Sequence, residues 1–425
     1  MKKILVIVLP AIIYGCSGPT ATNSLSQARY GQLDSLLKSK DYFAARDTFI
    51  IHGDELSDFH RLIVEADLDN AFNRLAASNR RIDSLFQLYK GQLPDTLQYQ
   101  LLHTRQMNHA KLFEYRQAND AMQAMVNNYR RQMTDEELKD NQNTRKIWAA
   151  LAGQPAQEVT IKDNTVLLLK RDKLGLQNLV LTLDTLDMDF IFDTGANFST
   201  VTETTAKKLH MKMMDTTTID VGSITGKDVE AKMAVCPVFT LGNIIVKNAV
   251  FLVFPDEALA IPQAHFQING IIGFPVIEAM KEVQLTKDGK FIVPLKQTSY
   301  HEQNMALNFP TPVILLDGAN YTFDSGANST TLYDHYFNKY KDKIESGYTE
   351  TDITIGGAGG NITKKGYFVT FETKINDKMI RLDSVQLFKE TLKDNNHFAG
   401  NIGQDLIGQF SKLTINFDSM FIRFD

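Results

Sequence analysis

The sequence predicts a multidomain, α plus all-β protein, with an N-terminal helical region followed by two β-barrel lobes that form one bilobal unit. Three observations predict it. Apolar residues recur at helical spacing over 25–151, then give way at Val159 to short apolar runs of strand character. The word Phe-Asp-Thr-Gly-Ala-Asn at 192–197 returns as Phe-Asp-Ser-Gly-Ala-Asn at 323–328. A second pair of words follows at nearly the same distance: Gly270-Ile271-Ile272-Gly273 ends 80 residues after Asp193, and Gly400-Asn401-Ile402-Gly403 ends 79 after Asp324. Words repeated in the same order at the same interval mark an internal duplication.

The chain opens with Met1-Lys2-Lys3 and a largely apolar run over 4–13. At about ten residues this run is half of what a spanning helix needs, so 1–15 reads as a signal peptide. Ile13-Tyr14-Gly15-Cys16 resembles the lipobox of bacterial lipoproteins. The resemblance implies that Cys16 is lipidated and, once multiply acylated, anchors the chain to a membrane of the cell envelope, on the outer membrane or the periplasmic face. Secretion with an incidental cysteine is the alternative. Residues 16–24 would then be a tether. Cys236 is the one other cysteine, so a lipidated Cys16 leaves no intramolecular disulfide, and its apolar run predicts a small buried residue.

Over 25–151 the apolar spacing predicts helices with polar outer faces. Lys40-Asp41-Tyr42-Phe43-Ala44-Ala45 and Phe113-Glu114-Tyr115-Arg116-Gln117-Ala118 share an acidic-Tyr-x-x-Ala word at a separation of 73 residues. This resembles a degenerate tetratricopeptide array of about three helix pairs with a poor middle copy around 78–85, and it implies a surface for a protein partner. An irregular helical bundle is the alternative. Leu93-Pro94-Asp95 should end one helix and start the next. Arg80-Arg81 and Arg130-Arg131 read as solvated helix faces. The breaker-rich segment 152–158 reads as a linker.

The first lobe is expected over 159–297 and the second over 298–425. Apolar runs at 166–169 and 179–183 lead into the first Asp turn, and 312–316 into the second. Few helices are expected here, mainly at 276–281 and 405–410 after the apolar-Gly words. Between the repeated words each lobe has a glycine-bearing hairpin tip, one containing Gly222, Ser223 and Gly226, the other Gly356, Gly357, Gly359 and Gly360.

A lone Asp-Thr-Gly is an ordinary turn, but two on strand ends suggest a catalytic carboxylate pair. With the glycine tips and the segment Asn401-Ile402-Gly403-Gln404-Asp405-Leu406-Ile407, the pattern over about 160–425 resembles the retropepsin-like aspartic proteases. That resemblance implies both lobes fused in tandem, with Asp193 and Asp324 meeting across a pseudo-twofold axis. It implies two carboxylates sharing one proton, because like charges so close cannot both ionise readily. Thr194 and Ser325 would cross-link the turns through their hydroxyls, and Gly195 and Gly326 would let backbone N–H groups approach the carboxylates. The glycine tips would close as flaps over a peptide or protein substrate. Asn197 and Asn328 stand where viral enzymes commonly carry Asp, and Ala196 and Ala327 where pepsin-like enzymes typically carry Ser or Thr.

The remaining chemistry is thin. Nine scattered histidines without a His-Glu-x-x-His word, and one spare cysteine, leave a zinc or cysteine hydrolase unsupported, and no cofactor or metal is implied. A net charge of -5 gives no pointer to nucleic acid. His335 and His397 could approach the cleft, and Asp220 and Asp352 read as polar hairpin residues. The functional expectation is a membrane-anchored aspartic endopeptidase, the rival a catalytically silent peptide- or protein-binding lipoprotein with a protease-like cleft.

Overall fold

The computed structural model describes residues 19–214, 218–222, 228–262, 265–357, 360–390 and 397–425. Cys16, Ser223, Gly226 and Gly359 lie outside the described residues. Among those described, seven α-helices come first: Pro19–Lys38, Tyr42–His52, Asp58–Ala71, Leu75–Leu88, Asp95–Lys111, Tyr115–Asn128 and Asp135–Leu151. The first begins inside the segment expected as a tether. Proline is tolerated in the first helical turn, where its missing N–H would have had no intrahelical partner. Pro94 caps Asp95–Lys111, as the Leu-Pro-Asp word predicts.

Three helix pairs turn through the same geometry. Lys40, Asn73 and Phe113 have φ of 60°, 59° and 58°. The next N–H reaches back five residues each time, Asp41 to Leu36 at 2.9 Å, Arg74 to Asp69 at 2.7 Å and Glu114 to His109 at 2.9 Å, satisfying carbonyls that a helix end leaves open. The middle turn is set by Asn73, and no acidic-Tyr word marks it. Ser78 in that copy is fully buried and donates to the Ala66 carbonyl at 2.7 Å. Arg81 departs from the expected solvated face: it pairs with Glu65 at 2.9 Å and with the buried Asp69 at 3.1 Å.

The strands form two units with the same pairing logic. In the first, Gly270–Ile272 lies parallel to Leu186–Phe192, with Ile271 opposite Ile191, and antiparallel to Ser199–Thr202. In the second, Gly400–Ile402 lies parallel to Ala319–Phe323, with Thr322 opposite Asn401, and antiparallel to Thr331–Leu332. The repeated words are therefore the strands that hold each Asp turn. A Cβ on Gly273 would sit 2.6 Å from the Phe198 backbone, and one on Gly403 2.6 Å from that of Ser329, so only glycine lets the turn pack there.

A third sheet joins the units, in the order Thr165–Leu168, Lys290–Val293, Glu282–Thr286, Lys412–Asn416, Phe421–Phe424. The run at 166–169 thus pairs with Lys290–Val293 and belongs to the joining sheet. Glu282, fully buried there, accepts from Gln284 at 2.7 Å, from the Thr298 hydroxyl and N–H at 2.7 Å each, and from Asn416 at 2.9 Å. The expected helices appear as Phe274–Ala279 and Gln404–Ile407. Glu203–Lys208, Asp334–Lys339 and Lys341–Gly347 are additional, each too short to leave a readable 3.6-residue period.

The helical region packs on both units. Tyr42 donates to Asn308 at 2.9 Å, Asn73 to the Phe417 carbonyl at 2.9 Å, and the buried Lys111 pairs with Glu278 at 3.1 Å. No helix among the described residues is long and apolar enough to cross a membrane.

Candidate active site

Strands ending in the fully buried Phe192 and Phe323 deliver Asp193 and Asp324 to the same place. The Asp193 N–H donates to the Ile272 carbonyl at 3.1 Å, and the Asp324 N–H to the Ile402 carbonyl at 3.1 Å, so both turns hang from the strands of the repeated glycine words. Both aspartates are half-buried, and their carboxyls are hydrogen-bonded to each other. The Gly195 N–H donates to Asp193 Oδ1 at 2.8 Å and the Gly326 N–H to Asp324 Oδ1 at 2.7 Å. Each glycine also faces the opposite carboxyl. A Cβ on Gly195 would lie 2.7 Å from the Asp324 carboxyl carbon, and one on Gly326 2.4 Å from that of Asp193, so any side chain would drive the two turns apart.

Thr194 and Ser325 lock the turns together. The Thr194 N–H donates to the Ser325 hydroxyl at 3.1 Å and the Ser325 N–H to the Thr194 hydroxyl at 2.9 Å, with both residues buried. Gln404 donates to the Ser325 carbonyl at 2.8 Å and exchanges 3.3 Å bonds with Gln177 of the first unit. In the sequence Gln404 stands out only as part of the 401–407 segment, directly after Gly403, with no sign of this bridging role.

Electrostatics follow from this geometry. Burial first, then the Asp324 charge, hold the Asp193 carboxyl well above the usual carboxylate range, while the Gly195 and Ala196 N–H groups pull it down. Burial raises Asp324 as well, against hydrogen bonds from Asp193 and from the Gly326 and Ala327 N–H groups. Two facing carboxyls in hydrogen-bond contact bind one proton between them and titrate as a unit. Such a pair can accept a proton at one oxygen while donating from another.

Two hairpins carry the glycine tips. Ile219–Gly222 pairs with Asp228–Leu241, placing Gly222 opposite Asp228, and Thr351–Gly357 pairs with Gly360–Ile375, placing Gly356 opposite Asn361 and Gly357 opposite Gly360. Helix Asp135–Leu151 grips the first hairpin: Asn143 donates to the Asp220 carbonyl at 2.7 Å and accepts from the Asp220 N–H at 3.1 Å. Nothing in the local sequence marks Asn143 for this. Asp352 pairs with Lys365 at 2.8 Å, a hairpin role.

His335 and His397 do not join the Asp turns; with Asp41 and Tyr336 they line a separate cavity of about 190 Å³ between the helical region and the second unit. Cys236 is fully buried, its thiol pushed up to about 12 by burial.

Among solved structures, the chain is similar to conglutin gamma, a basic 7S globulin from lupine seeds, at 9% identity and a TM-score of 0.37, over 61% of this chain and 93% of that one. Basic 7S globulin from soybean is similar at 9% identity and a TM-score of 0.36, over 62% and 94% of the two chains. No curated protein matches the chain. The family model described as aspartyl protease matches residues 180–276, the stretch that carries Asp193, its glycine turn, the first hairpin and Gly273.

Proposed function

We propose that this chain is an aspartic endopeptidase of the tandem, two-lobe retropepsin-like form, with Asp193 and Asp324 as its catalytic residues. The observation that carries the reading is the mutual approach of the two carboxyls, tied by the Thr194–Ser325 exchange. In the proposed cycle, the ionised member takes a proton from water as its oxygen attacks a peptide carbonyl. The protonated member donates to the carbonyl oxygen. The aspartate that took the water proton then gives it to the amine nitrogen as the C–N bond breaks, while the other takes a proton from a hydroxyl of the tetrahedral intermediate, which leaves as the carboxylic acid. The two hairpins act as flaps over the substrate.

Asp193→Asn and Asp324→Asn should each abolish cleavage of a denatured protein substrate while leaving the circular dichroism spectrum intact, because a shared-proton mechanism spares neither partner. Near-normal turnover in either variant would sink the dyad. Peptide binding without cleavage by the wild-type chain would instead favour the silent binding lipoprotein.

Two further parts belong to the reading. The left-handed turns at Lys40, Asn73 and Phe113 support a tetratricopeptide-like array that recruits a protein partner. Cys16 is proposed as the lipid anchor at the cell envelope, on its basic start, short apolar run and lipobox-like word. Cys16→Ser should release the chain from the membrane fraction. Unchanged fractionation, with an unchanged mass at the mature N-terminus, would remove the anchor.

A further inference from the structure

The two Asp turns end in equivalent asparagines with unequal surroundings. Asn328 donates to the Leu174 carbonyl of the opposite unit at 3.0 Å. Asn197 instead lines a small apolar cavity. Its wall comes from three parts of the chain: Phe113, Tyr115 and Trp148 of the helical region, Phe198 beside Asn197, and Phe309 of the second unit. Trp148 stacks on Tyr115 at 6.4 Å and meets Phe198 at 6.1 Å between ring centroids. It is 4% exposed, and its indole N–H has no hydrogen-bond partner. A buried donor left unpaired is costly, which is a reason to expect an acceptor from outside the chain.

We propose that this cavity is a substrate subsite built by the helical region, taking an aliphatic side chain of the bound peptide, with Trp148 Nε1 donating to a peptide carbonyl. The inference rests on the endopeptidase reading and adds where specificity lies. Asn197, which ends the Asp193 turn, is part of the lining, so the subsite borders the catalytic turn. The cavity volume of about 50 Å³ gives room for roughly four waters, which suits Val, Leu or Ile and excludes an indole. The same helix that supplies Trp148 also holds the first flap through Asn143. The helical region is thereby a wall of the cleft as well as a surface for a partner.

The test uses the full chain on a proteome-derived peptide mixture, with cut sites read by mass spectrometry. The wild type should enrich Val, Leu or Ile at one position away from the scissile bond. Trp148→Ala should relax that position toward Phe and Tyr and raise KM for a leucine-bearing peptide about tenfold, with the larger loss in KM. Trp148→Phe keeps the apolar wall without the donor, so it should retain the aliphatic preference with weaker binding. An actively cleaving Trp148→Ala chain with an unchanged profile overturns the subsite and leaves the endopeptidase reading standing.

A second measurement needs no cleavage. Trp148 is the single tryptophan, so its emission in the Asp193→Asn, Asp324→Asn double variant reports on the cavity. Acetylated nine-residue alanine peptides with one leucine should shift that emission for at least one leucine position, and the all-alanine peptide should not. No shift with any of them overturns the subsite whether or not the chain is a protease.

Discussion

Thr194 and Ser325, 131 residues apart, each place a backbone N–H on the other's hydroxyl, at 3.1 and 2.9 Å. The exchange holds the two Asp turns at one separation. Thr194→Ala or Ser325→Ala leaves one buried N–H unpaired, at a cost of about 1–3 kcal/mol. Each variant should melt lower and lose kcat by a larger factor than it gains in KM. Unchanged kcat in the double alanine variant would show that the exchange does not set the carboxyl geometry.

The Asp pair gives a pH dependence of definite sign. A carboxyl whose folded pKa is raised contributes stability that is complete below its unfolded pKa and is lost as pH rises through the folded one. Asp193→Asn should therefore raise Tm at neutral pH and give no gain near pH 3. For the wild type, kcat/KM should fall on the alkaline side as both carboxyls ionise. A hydroxyl added by Ala196→Ser with Ala327→Ser would favour the ionised form and move the profile toward acid. A stationary or alkaline-shifted profile removes that account of the alanines.

Glu282 is the polar centre of the sheet that joins the units. Glu282→Ala removes the acceptor of four hydrogen bonds, and unfolding in urea should show a loss of about 2–4 kcal/mol. Glu282→Gln, which keeps the shape but turns one acceptor into a donor, should lie between the two. A neutral Glu282→Ala would mean that apolar contacts alone hold this sheet.

Burial raises Asp67 of the helical region to about 7, opposed by the Lys40 charge. Its contribution is full below about pH 4 and is lost as pH rises through 7. Asp67→Asn should stabilise the chain at pH 8 by about 1–3 kcal/mol and make no difference at pH 4. Equal Tm for the two chains at pH 8 would place the titration elsewhere.

The sequence alone carried the change from helices to strands near Val159, the helix break at Leu93-Pro94-Asp95 and the strands before each Asp turn. Local chemistry sets these: apolar period, proline's missing N–H, and apolar, aromatic-bearing runs ended by an Asp-x-Gly turn. The words at 270–273 and 400–403 were also legible, because the close packing of the Asp turns on Gly273 and Gly403 admits no side chain. The middle helical turn at Asn73 was hidden, since a left-handed residue needs no fixed neighbours in sequence. Short helices such as Glu203–Lys208 were hidden too, being under two turns long. Only tertiary structure decided that Gln404 backs the Thr194–Ser325 contact, that Asn143 holds the first hairpin and that Trp148 abuts Phe198. Each joins residues far apart in the chain, and what fixes them is distance and angle in three dimensions, which residue types along one chain do not encode locally.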